Sequence, residues 1–152
     1  MSVLSAQTIR RLGLVRPMRE AYRDPRGNSV GLSCCGYDIS IAESVLVEPG
    51  QFVLASAREA FNLPTNVVGI VHDKSSLARE GLAVQNTVLE PGWRGFITLE
   101  LSNHWSRLIV LSAGDAVAQV IFHWLDEPTE LPYRGKYQDQ EAGPQSSRSA
   151  QS

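Results

Sequence analysis

The sequence predicts an all-β fold with one short N-terminal helix, and three observations predict it. From about residue 36 the chain breaks into short runs rich in Val, Ile, Leu and Phe: YDISI, ESVLVEP, QFVLASA, NVVGIVHD, LAVQNTVLEP, GFITLELSN, LIVLSAG and AVAQVIFHWL. These recur about every ten residues, the spacing of a sandwich or barrel and not of strands alternating with helices. Between them, Pro49-Gly50, Pro91-Gly92 and Ala113-Gly114-Asp115 supply turn chemistry.

The helix is expected over about residues 5–12. Ser5 stands as N-cap, Ile9 and Leu12 share an apolar face, and Gly13 stops it. Further along, residues 73–82 read as a strand end turning into a short helix. GFITLELSN alternates cleanly, with Phe96, Thr98, Glu100 and Ser102 on one face and Ile97, Leu99 and Leu101 on the other. Glu100 is therefore expected on a strand. After about Asp126 the β character fades, and the tail, from about residue 133 to 152, ends in QEAGPQSSRSAQS. A stretch of that composition buries little apolar area, so it is expected to be flexible and to order only against a ligand or a neighbouring subunit. The whole chain, 1–152, is expected to form a single domain.

Composition narrows the function. With 43% hydrophobic and 20% charged residues and a net charge of -2, the chain reads as a folded protein without the basic bias of a nucleic-acid binder. Arginines interrupt the N-terminal apolar stretch, so it does not read as a signal peptide, and no apolar run approaches the roughly 18 residues of a membrane helix. A cytoplasmic protein with neither membrane nor nucleic acid as partner is expected. Cys34 and Cys35, being adjacent, are poorly placed to bridge each other and are expected as small buried residues.

Three segments carry chemistry. Lys74, Ser75, Ser76 and Arg79 set two cations and two hydroxyls around a turn into a helix, which suits a polyphosphate; the plainer alternative is a helix cap with solvated cations. Glu90-Pro91-Gly92-Trp93-Arg94-Gly95 turns the chain back and offers an indole near the face that Glu100 shares. Its plainer alternative makes Trp93 core and Glu100 a solvent-facing residue. Residues 132–140 hold Tyr133, Lys136, Tyr137, Gln138 and Gln140 in an otherwise featureless tail, as a flap that closes over a nucleotide would.

In this order the segments resemble the dCTP deaminase family of the dUTPase and dCTP deaminase superfamily. The quoted matches are Ser75-Ser76-Leu77-Ala78-Arg79 with Gly81-Leu82, Pro91-Gly92-Trp93 with Gly95, Leu99-Glu100-Leu101-Ser102-Asn103, and Gly135-Lys136-Tyr137-Gln138 with Gln140 and Gly143-Pro144. The likeness extends through Gly36-Tyr37-Asp38-Ile39 and Pro49-Gly50-Gln51-Phe52 across nearly the whole chain. It implies a distorted jelly-roll, or β-clip, of the dUTPase-like type, assembled as a homotrimer with sites between subunits. It also implies zinc-independent hydrolytic deamination of dCTP, or a close relative, to the deoxyuridine nucleotide and ammonia.

The roles it implies are these. Glu100 is the catalytic carboxylate, assisted by Arg79 and Ser75. Lys74, standing where the family has an arginine, holds phosphate with Ser75, Ser76 and Arg79. Trp93 and Thr98 line the pocket, and Tyr133, Lys136 and Gln140 close it from the tail. Magnesium arrives with the triphosphate and takes no protein side chain. The zinc deaminases carry H-x-E and P-C-x-x-C; here Cys34-Cys35 has the wrong spacing, and His72, His104 and His123 do not cluster with it in sequence.

Two alternatives stand beside this reading. A dUTP diphosphatase, or a bifunctional enzyme, resembles the chain at Ser75-Ser76 and Arg94-Gly95. That family, however, places aspartate where Glu90 stands, lacks Glu100, and carries a tail phenylalanine, whereas none follows Phe122 here. The third possibility is a non-catalytic nucleotide-binding regulator. Residues 83–90 form a shorter connection than in either enzyme family, and Gln85 and Asn86 are expected to take over base contacts there.

Overall fold

The computed structural model describes residues 2–85 and 87–148. Its first element is the expected helix, α1 (Ala6–Leu12). Ser5 precedes it in extended conformation and its carbonyl accepts the Ile9 amide, while Gly13 at φ 63° closes the last turn in the left-handed region. Ile9 is the face that α1 buries.

Three strands then form before residue 36, where none was expected: β1 (Val15–Arg16), β2 (Tyr22–Arg23) and β3 (Ser29–Ser33). Two of them are only two residues long and half polar, too short for any period to register. There follow β4 (Gly36–Ser40), β5 (Val45–Val47), β6 (Phe52–Asn62), β7 (Val67–Asp73), a one-turn helix α2 (Ser75–Ala78), and β8 (Leu82–Val84). The remaining strands are β9 (Val88–Leu89), β10 (Arg94–Asn103), β11 (Ile109–Leu111) and β12 (Ala116–Trp124). Among the described residues no helix is long and apolar enough to cross a membrane.

The strands make three sheets. One runs β1-β6-β10-β8, a second β2-β3-β4-β12-β7-β9, and the third is the ribbon β11-β5. Every named strand pair is antiparallel. The two larger sheets share one core, to which Ile39, Val71 and Phe122 come from one and Ala55, Phe61 and Leu99 from the other. Each of the larger of these side chains taken from water contributes about 1.5–3 kcal/mol.

Two sequence expectations change. The run LAVQNTVLEP is not one strand: β8 pairs with β10 (Leu101↔Val84) and β9 crosses to pair with β7 (Gly69↔Leu89), so the segment joins the two sheets. The run QFVLASA extends to Asn62, and its register against β10 slips between Phe96↔Ala60 and Thr98↔Ser56. The slipped segment carries Glu59, which turns inward to accept Ser40 N–H at 3.1 Å and Ser40 Oγ–H at 2.6 Å. A bulge of this kind re-aims one side chain without ending the strand.

The cysteines also depart from expectation. Ser33 pairs with Gly36, so Cys34 and Cys35 are the two residues of the β3–β4 turn, Cys34 exposed and Cys35 partly so. Connecting segments run over the surface, and a two-residue turn has no strand face to bury its side chains.

Candidate active site

β10 is paired on both flanks, Glu100 lying opposite Leu54 of β6 and its carbonyl accepting the Gln85 amide at 2.9 Å. The backbone beneath Glu100 is thus held from two sides. Alternation along β10 is as expected: Ile97, Leu99 and Leu101 are buried, while Thr98 and Glu100 on the other face are half-buried. That second face opens into a cavity of about 610 Å³. Leu54, Leu89, Trp93 and Ile97 supply an apolar wall; Thr98, Glu100, Tyr133 and Gln140 supply polar groups.

Burial pushes the Glu100 carboxyl up from its ordinary value. Desolvation disfavours the charged form, so the group gives and accepts a proton nearer neutrality than an exposed glutamate. Trp93 is both pocket wall and core: 7% exposed, it packs in the main cluster and its Nε1–H donates to the Tyr137 carbonyl at 2.8 Å. The two readings of Trp93 are therefore compatible.

The tail reaches this cavity within the same chain. Gln140 pairs with Gly95 in a parallel bridge, and its Nε2 donates to Phe96 O and Thr98 Oγ1, both at 3.0 Å. Gln138 accepts the Arg94 amide at 2.9 Å and donates to Gly92 O at 2.8 Å, and Arg94 and Asp139 form an exposed ion pair. The Gln145 amide returns to Thr98 Oγ1 at 3.0 Å. The tail thus makes these contacts with its own chain. Gly95 makes this approach possible: at φ 144° it leaves no Cβ, and one built there would lie 2.7 Å from Gln140 N.

The remaining expected residues lie elsewhere. Lys74, Ser75, Ser76 and Arg79, at and around α2, do not line the cavity. Lys74 Nζ donates to Asp38 Oδ1 at 2.9 Å and Ser29 Oγ at 3.1 Å, its side chain 12% exposed and that of Asp38 5%. Gln85 touches Glu100 through backbone only and its side chain is exposed; Asn86 lies outside the described residues. Lys136 also stays out of the cavity, its ammonium donating to Arg148 O and lying 5.3 Å from the Tyr137 ring centroid. Among the described residues no three His, Cys, Asp or Glu side chains gather to hold a metal ion.

Sequence reasoning missed Thr87 and Gln145, which also line the cavity, and gave Tyr137, which lines it too, a place in the flap but no role of its own. Tyr137 carried a signal, sitting between Lys136 and Gln138 in the flap segment. Thr87 had none, since its place follows from the crossing of β8 into β9.

A family model described as dCTP deaminase-like matches residues 32–125. A dCTP deaminase of Acidobacterium capsulatum is 32% identical, the alignment covering 93% of this chain and 96% of that protein. The aligned length, 176 residues, exceeds the 152 of this chain, so that relative carries segments with no counterpart here. A protein of Persephonella marina named dCTP deaminase, dUMP-forming, is 41% identical over 99 residues, covering 64% of this chain and 55% of that one. Among solved structures, EIAV dUTPase superposes with TM-score 0.59 at 19% identity, covering 81% of this chain and 97% of that one. A dUTPase from phage phi11 of S. aureus gives 0.59 at 18%, covering 80% and 95%. These establish a fold of the dUTPase-like type.

Proposed function

The chain belongs to the dCTP deaminase-like family, and we propose that it hydrolyses dCTP to dUTP and ammonia. The observation that carries the reading is Glu100, a half-buried acid with a raised pKa opening into a cavity walled by Trp93 and covered by the tail. Deamination needs water activated for attack at C4, a proton at the ring, and a proton for the departing ammonia. One carboxyl that takes and returns protons, its pKa raised from the ordinary value by burial, serves all three. Water activation is assigned to Glu100, with no zinc. Trp93 offers the base an apolar surface, and Thr98 and Gln140 offer it polar contacts.

Ser75, Ser76 and Arg79 are assigned to the triphosphate and to polarising the site. They do not meet Glu100 within one chain, which supports a homotrimer in which a neighbouring copy supplies them. Asp38 is engaged by Lys74, and Asp73 accepts the Val84 amide at 2.7 Å, so magnesium is assigned to the nucleotide and not to these carboxylates. The reading places the protein in the cytoplasm, where free thiols such as Cys34 and Cys35 persist.

A second reading, in which the uracil nucleotide is also cleaved to dUMP, is favoured by the name of the Persephonella relative and by Glu90, which lines the same cavity. Incubation with dCTP, dCMP and dUTP, with ammonia and pyrophosphate both measured, tests the two together. Ammonia from dCTP is expected; its absence with every cytosine nucleotide would overturn the deaminase reading, and pyrophosphate would add the second.

A further inference from the structure

Consecutive side chains on a strand point to opposite faces. The β3–β4 turn breaks that alternation and brings the Sγ atoms of Cys34 and Cys35 to 3.8 Å. The turn is also braced. The Ala6 amide, at the start of α1, donates to Cys34 O at 3.0 Å, and Gly36 packs so closely on Val120 that a Cβ there would lie 2.5 Å from its carbonyl oxygen. Neither thiol lines the Glu100 cavity, so deamination gives the pair no task.

We propose that Cys34 and Cys35 form a two-thiol chelating site for a thiophilic centre of the trivalent arsenic class. A direct disulfide fits less well: Cα atoms joined by a trans peptide stand about 3.8 Å apart, below the roughly 4.4–6.8 Å usual for cystine. A bridging atom removes that conflict. Two bonds from one atom to the thiolates, each about the 2.3 Å of a metal–thiolate bond, hold their sulfurs apart by less than twice that length, and the 3.8 Å Sγ separation lies within that reach, so a pyramidal arsenic(III) centre enters with a small closing of the turn. The step is balanced without oxidant. A monosubstituted arsenic(III) oxide forms two As–S bonds, and its oxygen leaves as water with the two thiol protons.

The probe is phenylarsine oxide, added to the reduced full-length protein and followed by intact mass and thiol titration. One adduct per chain is expected, heavier by one phenylarsine oxide less one water, with both thiols lost together. A small dithiol should reverse it far better than a monothiol. Because the turn is exposed, Cys34→Ser and Cys35→Ser should keep the parent's circular dichroism and bind about a hundredfold more weakly, since each loses the intramolecular second bond. A single-serine variant that binds as tightly as the parent, or an adduct with one thiol still titratable, overturns the proposal.

Discussion

Gln140 donates its side-chain amide to Thr98 Oγ1 at 3.0 Å, two residues along β10 from Glu100. Because Gln140 also holds Phe96 O, this single side chain ties the tail to the strand that carries the acid. Gln140→Ala removes both bonds, at a cost of about 0.5–1.5 kcal/mol each. Its expected effect is a higher KM for dCTP with a smaller change in kcat, measured by steady-state ammonia release. An unchanged KM would separate the tail from nucleotide binding.

Gly95→Ala attacks the same closure from the other side. The added Cβ meets Gln140 backbone at 2.7 Å and forces an alanine into φ 144°, so the tail is expected to lift from Phe96. Faster proteolysis after residue 132 with the core intact would show it, and parental resistance would argue against it.

Glu100→Gln keeps the shape and removes the proton carrier. Turnover should fall by about 10²–10⁴-fold, with the melting temperature held or raised, since burial already disfavours the charge. The acid limb of kcat/KM should lie at higher pH than an exposed glutamate would give, because Glu100 must lose its proton to act and its pKa is raised. A limb in the ordinary glutamate range would contradict this role.

Glu59 predicts a pH dependence of stability. Burial raises its pKa, so the folded state holds the proton more tightly than the unfolded chain, whose glutamate titrates near about 4.3. Its favourable contribution is full below that value and is lost as pH rises through the folded pKa. Glu59→Gln, which still accepts from Ser40, should lack this slope. Urea midpoints at several pH values should show the variant gaining on the parent as pH rises; parallel curves would refute the assignment.

Lys74→Met leaves Asp38 buried without its cation and should cost about 3–5 kcal/mol in urea unfolding. Adding Asp38→Asn should recover part of that loss. If the single variant is as stable as the parent, the pair is not a structural brace.

The strand face that presents Glu100 was legible because alternation is local: Ile97, Leu99 and Leu101 turn inward, which leaves Thr98, Glu100 and Ser102 on the other face within a few positions. Trp93, Thr98, Tyr133 and Gln140 were legible as an ordered set, and the cavity gathers all four. Lys74 was legible as a cation but not as a brace, for Asp38 lies 36 residues away on β4. The exposure of Cys34 and Cys35 was hidden for a similar reason, since burial of a short turn depends on what packs beside it.

Sequence alone determined the β character of the chain, the position of α1 and the strand face that Glu100 shares, all of them properties of neighbouring residues. Tertiary structure decided that one apolar run divides between two sheets, that Lys74 is spent on Asp38, and that the tail covers its own Glu100. Each of those depends on groups distant in the chain meeting at hydrogen-bonding range. Such meetings are selected by cross-strand register and burial, which no local pattern encodes.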